Sequence, residues 1–218
     1  TGYRVFEPMF PRLSRFARRF GITTVGPFSI AGANFLVSLM LIPVLAPKDY
    51  GFYAFTMVLI QFNYGITNAT AATPLSIVLN QGSEGWHDEY FAIRNVNRLT
   101  SVCAGLIVLA SGYLFKIGDL DTTLMAVLAL LSAQRWFHRS LEYARHNPWR
   151  SALSDIVYSV VLVMIGVVLW LLKATALCSV AGALIAATTC AILSLGFSAT
   201  PRSDGSAWRR FAAYRDIW

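Results

Sequence analysis

Four polar side chains stand inside long apolar stretches of the chain. Asn34 lies in the first stretch, and Gln61, Tyr64 and Asn68 lie in the second. The last three recur at three- and four-residue steps, so on a helix they share one face. Neutral amides and a phenol can hydrogen-bond between helices, or they can line a hydrated cavity and bind a hydroxyl-rich ligand without burying charge. Both interpretations stay open, and the second makes these four residues candidates for a substrate cavity.

Four arginines belong to two short charged segments between apolar stretches. They are Arg94 and Arg98 in the first segment, and Arg135 and Arg139 in the second. A guanidinium group presents its N–H donors in a planar fork that matches two phosphate oxygens. These arginines are therefore candidates for contact with a lipid phosphate or diphosphate headgroup, and the alternative is that they only fix the orientation of neighbouring helices.

The sequence gives little support for catalysis. It has no Gly-rich phosphate loop with a lysine, no metal-ligand spacing and no paired carboxylates inside an apolar stretch. Asp155 borders the fifth stretch, and we interpret it as a carboxylate at a helix N-terminus, with an ion or proton site as the alternative. We predict that the protein is not an enzyme and has no cofactor or metal site. His87, His138 and His146 are expected at the membrane interface. Cys103, Cys178 and Cys190 are expected to be packing residues.

Six apolar stretches without charged residues position these side chains. They cover residues 20–47, 50–83, 99–115, 122–134, 156–172 and 174–201. A helix needs about 20 mainly apolar residues to cross the hydrocarbon core. The fourth stretch reaches that length only as a helix over residues 120–137. We therefore predict an all-α, polytopic membrane bundle of about six transmembrane helices, with the tight turn at residues 46–51 pairing the first two.

The overall composition agrees with a membrane bundle. The mean hydropathy is +0.55. Charged residues make up 13% of the chain, about half of the roughly 25% that soluble domains carry. No soluble enzyme domain is expected, and the net charge of +7 is expected to face anionic lipid headgroups rather than nucleic acid.

Lysine and arginine are divided unequally between the two sides of such a bundle. Six crossings place 15 arginines on the side of both termini and of residues 81–98 and 135–150, which we call the arginine end. The opposite side, the lysine end, receives only Lys48, Lys116 and Lys173. Short loops rich in Lys and Arg stay in the cytoplasm, so both termini are predicted to be cytoplasmic.

Three regions follow from this pattern. Residues 1–20 are predicted to form a cytoplasmic amphipathic segment, residues 21–197 the six-span lobe, and residues 198–218 a cytoplasmic linker. The chain starts without Met, and its tail resumes aromatic and basic residues as if it led to another span. We therefore expect a truncated protein, or a half-sized one that pairs with a second copy or another subunit.

The segment VGPFSIAGANFLVSLMLIPVLAPKDYGFYAFTMVLIQFNYGITNA, residues 25–69, resembles the opening of the polysaccharide-transport flippases. This family belongs to the multidrug/oligosaccharidyl-lipid/polysaccharide superfamily, and WRRFAAYRDIW at residues 208–218 is similar to its linker before span seven. The resemblance implies one six-helix lobe of a transporter in the bacterial inner membrane. Its substrate would be an undecaprenyl-diphosphate-linked oligosaccharide for surface polysaccharide, and its partner a second six-helix lobe. Ion-coupled multidrug exporters of the superfamily carry an acid in span one, and this chain has none there.

Two other functions remain as alternatives. A non-transporting membrane subunit could scaffold a polysaccharide synthase or secretion complex, because six apolar spans suit that role too. A membrane-embedded lipid-sugar enzyme would need acids or histidines at the interface, where residues 135–150 offer only Glu142, His138 and His146. A second six-span lobe in the complete gene would favour the transporter over the scaffold.

Overall fold

The computed structural model describes residues 10–81, 86–173 and 176–196, and all regular structure in these ranges is helical. The predicted all-α class is thus confirmed for the described residues. The predicted segment 198–218 and the first nine residues of the segment 1–20 lie outside these ranges. The helices are α1 (Phe10–Leu41), α2 (Pro47–Thr67), a π-helical turn (Asn68–Ala72), α3 (Thr73–Gln81), α4 (Trp86–Leu114), α5 (Asp119–Ala144), α6 (Pro148–Leu171) and α7 (Leu177–Leu195).

The helices extend well beyond the apolar stretches. α1 is one helix from Phe10 to Leu41, so the second half of the predicted segment 1–20 continues into the first span without a break. Pro11 is tolerated because it falls in the first turn, where backbone N–H groups have no partner within the helix. The predicted interfacial loop at residues 81–98 is mostly the start of α4, and the loop at residues 135–150 is reduced to the short turn between α5 and α6.

α2 and α3 form one continuous rod that is interrupted by the π-helical turn. The N–H of Thr73 donates to the carbonyl of Asn68, five residues back instead of four. Pro74 follows directly; it has no N–H, and in a regular α-helix its ring would clash with the carbonyl of Thr70. The wider turn accommodates this proline. The described chain therefore consists of six helical rods.

Successive rods alternate in direction. Lys48 Nζ donates to the carbonyl of Lys116 at 2.7 Å, so the start of α2 and the end of α4 lie at the same end of the bundle. Pro43, in the turn after α1, lines a cavity together with Trp170 and Lys173 from the end of α6. Lys48, Lys116 and Lys173 therefore occupy one end, and the turn between α5 and α6 lies at the other.

α5 is the central helix and contacts α2, α4, α6 and α7, while α1 packs along α6. The prediction that the tight turn pairs α1 with α2 is wrong. Gly166 on α6 lies against Val37 on α1. Because Gly166 has no side chain, the two helices can pack closely at this point. Contact between α1 and α2 is limited, and it includes the hydroxyl groups of Ser38 and Tyr53, 3.1 Å apart.

The outside of the bundle is apolar. Phe28, Phe62, Met164 and Leu114 are each more than 60% exposed, which a soluble monomer rarely tolerates over contiguous surfaces. Four helices are long and apolar enough to cross a membrane, namely those with the windows Thr24–Leu41, Glu89–Leu114, Pro148–Leu171 and Leu177–Leu195. The rod of α2 and α3 and the central α5 are not among these four helices.

Candidate functional site

A buried ion cluster joins α5 to α6. Asp155 is completely buried, and Arg135 and Arg139 are 1% and 7% exposed. Arg135 Nη2 donates to Asp155 Oδ1 at 2.9 Å, and Arg139 Nε donates to both carboxylate oxygens at 3.1 and 2.9 Å. Two guanidinium groups share one carboxylate, so the cluster carries a net charge of +1.

The local sequence explains how these three charges meet. Arg135 and Arg139 are four residues apart, so they lie on one face of α5. Gly26 on α1 closes the other side: a Cβ atom there would overlap the Asp155 carboxylate, so only glycine allows α1 to come this close. α6 begins at Pro148, seven residues before Asp155. The interpretation of Asp155 as a helix N-terminal carboxylate is therefore wrong, since its partners are two arginine side chains.

Arg135 extends the cluster towards α1. Its guanidinium group lies over the ring of Tyr158, 4.1 Å from the centroid. The Tyr158 hydroxyl donates to Asn34 Oδ1 at 3.1 Å. Arg135 Nε is buried and makes no hydrogen bond among the described residues. Asn34, one of the predicted cavity residues, is thus linked to the buried charges through one tyrosine.

Arg139 extends the cluster towards the π-helical turn. Its guanidinium group lies 4.5 Å from the ring of Trp136, and Tyr64 stacks on the same indole at 4.2 Å with an interplanar angle of 9°. Trp136 Nε1 donates to Asn68 Oδ1 at 2.8 Å. We call the connected set of Asn34, Tyr158, Arg135, Asp155, Arg139, Trp136, Tyr64 and Asn68 the polar network.

A cleft of about 260 Å³ lies beside the polar network, near the end of α5. Its lining comes from the π-helical turn, α3, α5 and the turn after α5. The lining residues are Asn68, Ala72, Ser76, Arg139, Ser140, Tyr143, Ala144 and His146. The cleft thus connects the buried charges of α5 to the outside of the bundle.

Five of the eight residues predicted for the site lie in the polar network: Asn34, Tyr64, Asn68, Arg135 and Arg139. The other three lie elsewhere. Gln61 and Arg98 are exposed, and Arg94 is half-buried on α4. Arg135 is sealed inside, so it would have to leave Asp155 to contact a lipid headgroup. Whether any of the eight binds a substrate or a headgroup remains a prediction.

Three members of the polar network were missed as site residues in the sequence: Asp155, Trp136 and Tyr158. A usable signal existed for Asp155. It is the acid next to a 17-residue apolar stretch, and a charge at such a position needs a partner. Trp136 and Tyr158 carried no comparable signal, because aromatic side chains in apolar helices are ordinarily packing residues.

The histidines and cysteines form no site among the described residues. No group of three His, Cys, Asp or Glu side chains there could hold a metal ion. Cys103 and Cys190 are exposed on the outside of the bundle, so the expectation that they pack inside is wrong for these two. His138 is half-buried on α5, just beyond the predicted fourth span.

The chain matches no protein-family model, no curated protein and no solved structure. The resemblance of residues 25–69 to the flippases therefore remains a prediction from the sequence. The geometry itself defines what the site can do: hydrogen-bond donors and aromatic rings surround a buried positive charge that is open to a cleft.

Proposed function

We propose that this chain is one lobe of a membrane transporter that flips an undecaprenyl-diphosphate-linked oligosaccharide for surface polysaccharide biosynthesis. The observation that carries the proposal is the polar network. It runs from α1 through α6 and α5 to the π-helical turn, inside a bundle whose exterior is apolar. Burying three charged side chains with a net charge costs stability, and in membrane proteins such residues mark substrate pathways.

All six rods cross the membrane in this proposal. The rod of α2 and α3 and the central α5 are shielded from lipid by the four apolar helices and by the second lobe. The arginine end faces the cytoplasm, following the positive-inside distribution of Lys and Arg. In this proposal the protein is located in the inner membrane of a bacterium, as the flippase resemblance implies.

Transport would proceed by alternating access between this lobe and a second six-helix lobe. The sugar headgroup crosses beside the polar network, where Asn34, Tyr64 and Asn68 offer neutral hydrogen-bonding groups. The lipid tail stays in the bilayer along the apolar exterior. No group of three His, Cys, Asp or Glu side chains among the described residues could hold a metal ion for chemistry on the sugar.

Translocation by the whole protein tests the proposal. In proteoliposomes that carry the full-length protein and a fluorescent lipid-linked oligosaccharide, the fraction of headgroup moved across the bilayer is measured by quenching from one side. Tyr64→Leu removes the ring that stacks on Trp136, and we expect the rate to fall about fivefold. Tyr113→Leu removes an exposed tyrosine, 73% accessible on α4, and is expected to leave the rate unchanged.

The scaffold remains the second candidate, because the apolar faces of α4 and α6 also suit attachment to other membrane subunits. Wild-type protein that moves no lipid-linked oligosaccharide, and yet is needed to hold a synthase complex together, would favour the scaffold. Equal translocation rates for the Tyr64→Leu and Tyr113→Leu variants would show that the polar network is not part of the transport pathway.

A further inference from the structure

We infer that the cleft beside Arg139 is an oxyanion site that binds one diphosphate group, with Arg139 and Asn68 as its donors. The inference rests on the proposed function for its biological ligand, because it places the diphosphate of the carrier lipid at this cleft. The binding chemistry itself depends only on the geometry of the described residues. Three observations carry it.

The first observation is the way in which Asp155 holds Arg139. Both short contacts to the carboxylate come from Nε, at 3.1 and 2.9 Å. The two terminal nitrogens of Arg139 make no hydrogen bond among the described residues, and they are not among the buried unpartnered atoms. Since Arg139 lines the cleft, its free N–H groups can reach a ligand there without breaking the bond to Asp155.

The second observation is the orientation of the Asn68 amide. An indole N–H is a donor only, so the Asn68 atom that lies 2.8 Å from Trp136 Nε1 must be the oxygen. The amide nitrogen, with two donors, is then directed away from the indole. Asn68 is exposed at the same cleft, so it adds donors next to those of Arg139.

The third observation is the charge around the cleft. The cluster of Arg135, Arg139 and Asp155 has an excess of one positive charge. No aspartate or glutamate is among the described residues that line the cleft. The hydroxyl groups of Ser76 and Ser140 donate to backbone carbonyls, and Arg139 and Asn68 bring arginine and amide N–H groups to a lining that also includes Tyr143 and His146. Such a set suits phosphate oxygens, which accept charge-assisted hydrogen bonds from a guanidinium fork.

The test uses the full chain in nanodiscs of phosphatidylcholine, titrated with inorganic diphosphate at constant ionic strength and followed by calorimetry. Asn68→Asp keeps an oxygen for Trp136 but replaces the amide donors with an acceptor, and we expect binding at least tenfold weaker. Arg139→Gln is expected to have a similar effect, while Asp155 keeps Arg135 as a partner. Arg150→Gln removes an exposed arginine outside the cleft and is expected to leave the affinity unchanged.

The source of the phosphate is distinguished in two further titrations. In one, the nanodiscs contain phosphatidylglycerol, and in the other they contain undecaprenyl diphosphate. Competition by the carrier lipid alone supports a site for the transported substrate, whereas equal competition by phosphatidylglycerol supports a site for a bulk lipid headgroup. Failure of the wild-type protein to bind inorganic diphosphate would overturn the oxyanion site, as would equal weakening by Arg150→Gln.

The two proposals can fail separately. If diphosphate binds as expected but the protein moves no lipid-linked oligosaccharide, the proposed transport function is contradicted and the oxyanion site is supported. If translocation proceeds but neither Asn68→Asp nor Arg139→Gln changes diphosphate affinity, the oxyanion site is contradicted and the proposed transport function is supported.

Discussion

Asp155 supplies the negative charge that partly neutralises Arg135 and Arg139 in the buried cluster. It is the one carboxylate within hydrogen-bond distance of Arg135 and Arg139 among the described residues. A buried pair of opposite charges adds little net stability, but removal of one partner leaves an unpaired charge in a medium that cannot solvate it. The cluster therefore makes the protein sensitive to the loss of this single side chain.

We expect Asp155→Asn to lower the free energy of unfolding by about 3–5 kcal/mol, because two guanidinium groups then remain buried without a counter-charge. The measurement is unfolding in mixed micelles with increasing denaturing detergent, followed by circular dichroism. Asp119→Asn, at the exposed start of α5, is the control and should cost little. Adding Arg139→Gln to Asp155→Asn restores a net charge of +1 and should recover part of the loss. Equal stability of the Asp155→Asn and Asp119→Asn variants would contradict the ion cluster.

The site residues could be predicted one by one, but their partners could not. Asn34, Tyr64 and Asn68 were selected because polar side chains in apolar stretches are visible in a sequence. Arg135 and Arg139 were selected because they lie in a short charged segment between two such stretches. Which of them meet depends on the order in which the helices pack. Gln61 illustrates the limit, since it shares the helix face of Tyr64 and Asn68 yet lies exposed outside the polar network.

Among the helices, the contact of α1 with α6 is the one on which the site depends most. Gly26 lets the α1 backbone approach the Asp155 carboxylate, and Gly166 lets Val37 pack against α6. These glycines lie on the contacting faces of the two helices. Gly32, also on α1, has no atom near enough to meet an added Cβ.

This difference gives a matched pair of variants on α1. We expect Gly26→Ala to lower the free energy of unfolding by about 1–3 kcal/mol, because the added methyl group overlaps the Asp155 carboxylate. Gly32→Ala should leave stability unchanged or raise it by up to about 1 kcal/mol, since alanine favours the helix. Both are measured by the same detergent unfolding. A Gly26→Ala protein as stable as Gly32→Ala would show that α1 does not approach α6 as described.

Helix class and helix number were within reach of the sequence, whereas helix pairing was not. Apolar stretches of about 20 residues show where helices lie. The π-helical turn was signalled only by Pro74, which could equally have produced a kink. The pairing of α1 with α6 could not be predicted from the sequence, because it depends on glycines that contact residues more than 100 positions away along the chain.

The described part of the bundle is apolar outside and buries a cluster of charged side chains beside its apolar core. α5 carries Arg135, Arg139 and Glu142, all buried, and is surrounded by helices with exposed apolar faces. A bundle of this kind is stable when hydrocarbon covers its exterior, because lipid does not penalise exposed leucine or phenylalanine. The four apolar helices agree with this arrangement, and the threading of all six rods through the bilayer is what the proposed transporter requires.

Labelling of single cysteines in whole cells tests this threading most directly. Cys103, Cys178 and Cys190 are first replaced by alanine, and one cysteine is then introduced at Lys116 or at Arg145. A membrane-impermeant maleimide added outside spheroplasts should label Lys116→Cys, and it should label Arg145→Cys only after the membrane is permeabilised. Labelling of Arg145→Cys in intact spheroplasts would contradict a cytoplasmic arginine end and, with it, the proposed path of the substrate.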